Sequence, residues 1–187
     1  MKNWLIKSLF SMVLVLLFVS ASHAEWVETG HTRVRLLSEY QAVSGKSPFW
    51  VLVEFDIQPG WHTYWQNPGD SGTPPNFQWQ LPDGWKASEI HWLPPKKIPA
   101  GPFVNYGYSG KAYHLVKITP KPESLNKIVQ LELQANWLVC EVECIPEEAV
   151  LVTNLTCARD NEPSDAYDQI NALVAKTQLT KLTATAV

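Results

Sequence analysis

From Val129 to Cys140 the sequence alternates without a break, and this alternation constrains the fold more than any other feature. Val129, Leu131, Leu133, Ala135, Trp137 and Val139 fall on one face of an extended chain, and Gln130, Glu132, Gln134, Asn136, Leu138 and Cys140 on the other. Such a strand must bury its apolar row against a second layer, while its polar row faces water. Cys140 takes the parity of the polar row, so it is expected at the surface. Cys144 follows four residues later in "CEVEC". Four extended residues span roughly 13 Å, whereas disulfide Cα atoms lie about 4.4–6.8 Å apart. If these two cysteines bond, Glu141–Glu143 must be a tight turn, and "AVLVTNL" (149–155) returns as the next strand.

The rest of the chain reads the same way. "HTRVRLLSEY" (31–40) and "FWVLVEFDIQ" (49–58) are period-two segments joined by a Ser-Gly turn. Shorter strands are expected at "FQWQL", "SEIHWL" and "AYHLVKITP", separated by Pro-Asp-Gly, Pro-Pro and Ser-Gly turns. "WHTYWQNPGDSGTPPN" (61–76) is rich in Pro, Gly, Asn and Asp and is expected to be a long structured loop. Many short strands at close spacing argue for an all-β sandwich over βαβ units. Beyond Cys157, Ser164 suits a helix N-cap, Asp165 and Asp168 suit the first turn, and Tyr167, Ile170 and Val174 share a stripe. The spacing predicts a short amphipathic helix over 164–178, then a Thr/Ala-rich tail without structure.

Residues 1–24 have a basic start, a short apolar run and the small residues "SHA", the pattern of a cleaved signal peptide. The division expected is therefore 1–24 signal, 25–160 sandwich, and 161–187 helix and tail. An exported chain of this type suggests a bacterial periplasm. Net charge is −3 with no basic run, so nucleic acid is excluded as a partner. No later segment is long and apolar enough to span a bilayer. Three cysteines allow one internal bridge among three pairings, with one thiol left over. Cys157 is then a surface thiol or an alternative partner for Cys144. His31, His62, His91 and His114 are scattered and both Met residues lie in the signal segment, which gives two thiolates little help in holding Cu(I). Of the nine tryptophans, Trp50 and Trp137 are read as core. Trp61 and Trp65 are read as a packed lid rather than a sugar-stacking platform.

The order "GWHTYWQNPGDSGTPPNFQW", "NYGYSGKAYHLVKITP" and "WLVCEVECIP" resembles the N-terminal periplasmic domain of DsbD-type thiol:disulfide interchange proteins over roughly residues 30–155. It is most similar to the ScsB branch, the cysteines being closer together than in DsbD. The resemblance implies an immunoglobulin-like β-sandwich, to which the helix read above adds a short C-terminal element, with a redox pair formed by Cys140 and Cys144 and no cofactor. It also implies electrons received from a thioredoxin-like or membrane-embedded partner and passed to disulfide-bearing periplasmic proteins. Contact with the membrane would come through that partner alone. The segment Asn105, Tyr106, Gly107, Tyr108, Ser109 matches the family's cap loop, in which an aromatic ring covers the disulfide. Full-length members continue into a membrane region, so this chain is expected to be a fragment or a stand-alone relative.

Exchange proceeds by thiolate attack on a disulfide sulfur, so thiol pKa and access decide reactivity. Glu141, Glu143, Glu147 and Glu148 put negative charge near the sulfurs, which disfavours a thiolate. That suits an electron donor or relay better than an oxidase. By position in the hairpin, Cys140 is expected to be the outgoing nucleophile. The competing reading is a binding module for glycan, protein or Cu(I), with the bridge as a structural staple. A bridge closing so short a loop removes little unfolded-chain entropy, which argues against the staple.

Overall fold

The computed structural model describes residues 25–185; the expected signal peptide, residues 1–24, lies outside them. The first part of the chain forms β1 (Val27–Glu28), β2 (Thr32–Ser38), β3 (Tyr40–Val43), β4 (Phe49–Ile57), β5 (Thr63–Gly69) and β6 (Asn76–Gln80). Short strands β7 (Lys86–Ala87), β8 (His91–Trp92) and β9 (Lys96–Ala100) follow, then β10 (Phe103–Tyr108) and β11 (Lys111–Thr119). Two long strands, β12 (Ile128–Cys140) and β13 (Cys144–Cys157), precede β14 (Glu162–Pro163) and helix α1 (Tyr167–Thr185).

Two sheets face each other, as the alternation requires. One has the order β1-β2-β4-β11-β7, with β8 also paired to β11; the other has the order β14-β3-β13-β12-β6. Val34, Val51, Val53, Phe55 and Val116 from the first meet Leu131, Leu133, Ala135, Trp137 and Leu151 from the second in one buried core. All of these are apolar and nearly sealed from water, so their burial is the main stabilising term of the sandwich. A smaller sheet, β5-β10-β9, sits beside them. The architecture is an immunoglobulin-like β-sandwich carrying one C-terminal helix. Trp137 packs edge-on to Phe55 with ring centroids 4.9 Å apart. Trp61 and Trp65 are half-buried against the same core.

Strand β4 is buried on both faces because α1 covers the outer one. Leu52 and Leu115 pack with Ala166, Ile170, Leu173 and Val174, with Trp50 alongside. Ser164 caps the helix, its hydroxyl accepting from the Ala166 amide at 3.1 Å. The helix runs to Thr185, beyond the residue 178 expected from sequence. Leu, Lys and Ala in "LTKLTAT" are good helix formers, and they outweigh the interspersed threonines.

The segment 61–76, expected as a loop, contains β5. Its Pro and Gly residues are tolerated because they occupy the irregular end of the strand. Pairing with β10 steps from Tyr64↔Gly107 to Gly69↔Asn105 with a shift of register between them. Pro68, which has no amide hydrogen to offer a ladder, falls in that shifted stretch.

His114 is fully buried within a ring of aromatic edges from Phe55, Phe77, Trp92 and Tyr108, at centroid distances of 4.9–5.7 Å. Neither ring nitrogen reaches a side-chain or backbone acceptor at hydrogen-bonding geometry. Burial holds its pKa down to about 3, with the Val53 backbone acting in the opposite direction. In the unfolded chain the same imidazole ionises near the ordinary histidine value of about 6.5. The folded state therefore binds fewer protons, and the stability present above that value is lost as pH falls toward 3. Substituting His114→Leu should remove one proton from this dependence. Urea midpoints measured between about pH 6.5 and pH 4 should fall less steeply in the variant, by up to ~1.4 kcal/mol per pH unit. Identical slopes would show that His114 does not titrate on unfolding.

Candidate functional site: a covered disulfide at a hairpin end

The β12–β13 ladder keeps perfect register from Ile128↔Thr156 to Cys140↔Cys144. The last pair of the ladder is a disulfide, with Cα atoms 4.2 Å apart. Glu141, Val142 and Glu143 make the tight turn that bonding demands, closed by the Glu141 amide donating to the Glu143 carbonyl. The two sulfurs are thus held by a regular antiparallel pair, with no rearranged backbone.

Their surroundings are unequal. Cys144 is exposed, whereas Cys140 is 2 % exposed. The surface position expected for Cys140 from its parity is therefore corrected. The alternation itself holds to Val139, but the outer side of the strand's last residue is covered by the chain entering β5. The His62 amide donates to the Cys140 carbonyl at 2.9 Å, and the Cys140 amide donates to the His62 carbonyl at 2.9 Å. Two residues on, the Tyr64 hydroxyl donates to Cys140 Sγ at 3.0 Å and lies 3.5 Å from Cys144 Sγ.

Tyr64 is itself 1 % exposed, and burial pushes its phenol pKa up, against a lowering contribution from Ser71. The phenol is therefore neutral across the physiological range and keeps its proton for the sulfur. His62 packs edge-on to Tyr64, centroids 5.3 Å apart. Burial lowers its pKa, so the fold brings a neutral imidazole, not a cation, next to this group.

A strap formed by Asp70–Asn76 lies over the Tyr64 ring. Gly72, at φ +87°, is where the two meet, since a Cβ there would stand 2.1 Å from Tyr64 Cζ. Only glycine fits both the left-handed backbone and the contact. The strap is tied to β10: the Ser71 amide and hydroxyl both reach Asn105 Oδ1 at 3.1 Å. The Val104 amide donates to Asp70 Oδ2 at 2.8 Å.

The expected cap segment, Asn105–Ser109, is largely strand and not loop, because β10 pairs with β5 on one side and β9 on the other. Asn105 is buried and holds the strap. Gly107 permits the close approach to β5, for a Cβ there would clash with the Thr63 carbonyl. Tyr108 is buried and donates to the Leu93 carbonyl at 2.8 Å, while Tyr106 is 38 % exposed. Ser109 follows the strand in the turn before β11. Among the described residues, the hydroxyl that touches sulfur comes from Tyr64, which lies inside the segment expected as a loop. The signal that could have found it was the shared parity of His62 and Tyr64 in "WHTYW", hidden by the loop assignment.

The glutamates also divide. Glu147 is buried and turned away from the sulfurs, accepting from the hydroxyls of Thr29 and Thr32 at 2.6 Å and from the His31 amide. Glu141, Glu143 and Glu148 are exposed. Cys157 is unpaired and buried, not a surface thiol; burial, followed by the charge of Glu123, pushes its pKa up. Among the described residues no three His, Cys, Asp or Glu side chains converge to hold a metal ion.

The long hairpin of the sandwich thus ends in a disulfide with Cys144 exposed and Cys140 covered. The sequence matches the family "Thiol:disulfide interchange protein DsbD, N-terminal" over residues 33–156, and the chain belongs to it. Among solved structures it is similar to the N-terminal periplasmic domain of ScsB from Proteus mirabilis, at 23 % identity and a TM-score of 0.61. That match covers 82 % of this chain and 58 % of the ScsB chain. A weaker likeness links it to the reduced N-terminal domain of Neisseria meningitidis DsbD, at 13 % identity and a TM-score of 0.36, covering 67 % of this chain and 85 % of that one. No curated protein matches the chain by sequence. No helix among the described residues is long and apolar enough to cross a membrane.

The Tyr64 contact has a measurable consequence in the reduced protein. A hydrogen bond to an ionised sulfur is worth about 1.5–3 kcal/mol, so Tyr64→Phe should raise the Cys140 thiol pKa by at least about one unit. Thiolate absorbance against pH, read in a Cys144→Ser, Cys157→Ala background, checks this. An unchanged titration would show that the hydroxyl does not donate to the thiolate.

Proposed function

We propose that the chain is a periplasmic electron relay in which the Cys140–Cys144 pair alternates between disulfide and dithiol. The observation that carries this reading is the unequal cover of the two sulfurs. An incoming thiolate can approach Cys144 Sγ, while Tyr64 and the strap occupy the approach to Cys140. In the loading half-cycle a partner thiolate attacks Cys144 Sγ. The Cys140–Cys144 bond breaks, and Cys140 leaves as a thiolate that accepts the Tyr64 proton donor as its hydrogen-bond partner. The partner's second thiolate then attacks its own bridged sulfur and releases Cys144. Two electrons have moved, and the partner holds the disulfide.

In the unloading half-cycle the Cys144 thiolate attacks an acceptor disulfide. Cys140 then attacks Cys144 Sγ, re-forming the bridge and freeing the reduced acceptor. This exchanges the roles expected from sequence, where Cys140 was the outgoing nucleophile: exposure favours Cys144, and burial favours Cys140 as the resolving thiol. A thioredoxin-like or membrane-embedded donor and disulfide-bearing periplasmic acceptors fit the family. Export by way of residues 1–24 fits the same compartment. The covering role expected of Tyr106 and Tyr108 passes in this reading to Tyr64 and its strap, with Asn105 as the tie.

Single-cysteine variants test the assignment. Cys140→Ala, which leaves Cys144 as an open thiol, should accumulate mixed disulfides with a thioredoxin-like partner on non-reducing gels. Cys144→Ala should give less adduct by more than about tenfold, since the remaining thiol is covered. Equal adducts from both would remove the asymmetry from the mechanism, and none from either would remove the relay.

A further inference from the structure

Each sheet of the fold has two edges, and all but one of the strands at those edges carry a device that discourages pairing with another chain. Strands β1, β7, β8 and β14 are two residues long. Strand β9 carries Lys96, Lys97 and Pro99, and β5 carries Pro68 at its register shift. The exception is β6, at the end of the order β14-β3-β13-β12-β6. Its five residues hold neither charge nor proline and pair in unbroken register with β12. In an antiparallel pair, alternate residues turn their main-chain groups away from the partner strand. On β6 those outward groups have no hydrogen-bond partner among the described residues.

The space beside this edge is lined from both sheets. Phe77 and Trp79, the inward-facing residues of β6, are half-buried, and with Pro75, Ile90 and Trp92 they line a groove of about 310 Å3. A second groove, of about 560 Å3, lies on the hairpin flank against Leu138 and Pro146. Pro74 and Asn76 border both, so the free edge and the two grooves form one track toward the hairpin end.

We propose that β6 takes up an extended segment of an unfolded, disulfide-bearing polypeptide as an added strand. That this segment belongs to the electron acceptor rests on the relay reading; the strand site does not. A free edge recognises main chain, and specificity falls to alternate side chains. Those on the inward face drop onto Phe77, Trp79 and Trp92, which selects apolar residues at every second position. Such stretches are buried in folded proteins and open in unfolded ones, so the chemistry of the site selects a non-native chain. Geometry sets where its sulfur falls. Asn76 pairs with Asn136, four residues before Cys140, roughly 13 Å along the ladder. The added strand lies two strand spacings from β12, about 10 Å to the side. About five extended residues cover the diagonal, so a disulfide that far from the paired stretch reaches the hairpin end. The Cys144 thiolate attacks it, Cys140 then attacks Cys144 Sγ to re-form the bridge, and the acceptor leaves with both sulfurs reduced by two electrons.

Fluorescence anisotropy of a labelled peptide of alternating valine and threonine tests the edge. The peptide should bind the oxidised protein saturably, and a version with prolines at its central positions, which lacks main-chain donors there, should not. Trp79→Ala and, independently, Ile90→Lys should each weaken binding by at least about tenfold, with urea midpoints showing that the variants fold. The reduced protein is then given the same peptide extended, at one end or the other, by a cysteine held as a mixed disulfide with 2-mercaptoethanol. A spacer of about five residues should be reduced at least about tenfold faster than a spacer of about one. Hydroxyethyl disulfide should be reduced equally by the wild type and Trp79→Ala. No peptide binding, or equal binding of the proline version, would overturn the strand site. So would a wild-type dimer dissolved by the same substitutions, which would give the edge to a second copy of the chain. Binding without the spacer dependence would overturn the acceptor assignment and leave the relay standing. A reduced protein that leaves hydroxyethyl disulfide untouched would overturn the relay and the acceptor assignment with it, whatever the peptide binds.

Discussion

The mutual pair of hydrogen bonds between His62 and Cys140 is the constraint on which the rest of the site depends. It joins the start of β5 to the last residue of β12, across 78 positions of sequence. Without it, Cys140 would be what its parity says, an exposed residue at the end of a half-buried strand. With it, Tyr64 is delivered two residues later to the sulfurs, and the strap is delivered over Tyr64. The disulfide needs no special backbone, because the long β12–β13 ladder simply ends there. What makes the two sulfurs different is the chain that crosses one of them.

A second consequence concerns charge. Proximity in sequence set four glutamates beside the cysteines, but the fold sorts them by environment. Glu147 is spent on the Thr29–Thr32 segment, where two hydroxyls and an amide satisfy its carboxylate. The buried sulfur takes the hydroxyl of a neutral phenol, which the His62 ring backs, while Cys144 and the remaining glutamates are exposed to water. The Tyr64 hydroxyl thus gives the buried sulfur a hydrogen-bond donor. A proton donor at one sulfur and open access at the other are the features on which the proposed division of roles rests.

Much of this was legible in the sequence, for reasons that can be stated residue by residue. The alternation from Val129 to Val139 is local physics, and it gave the strand, its buried face and the hairpin that must follow if the cysteines bond. Ser164 and the stripe of Ile170 and Val174 were legible as a capped helix for the same reason. Cys140 was misplaced because its cover comes from far along the chain, which no local period encodes. The β5 strand was hidden by Pro68 and Gly69, residues that mark turns in general but here sit in a register shift. Tyr108 looked like a lid from its motif, yet a neighbouring buried histidine and the Leu93 carbonyl claim it for the core.

The central claim is that the Cys140–Cys144 bond exists to be broken and re-formed, and its reduction potential tests that most directly. Equilibration of the protein against defined dithiothreitol buffers, with the two states separated after alkylation, yields the value. A relay should lie well above about −300 mV, within reach of thioredoxin-like partners. A value below that figure would mark a bridge that partner thiols leave intact, and would contradict the account.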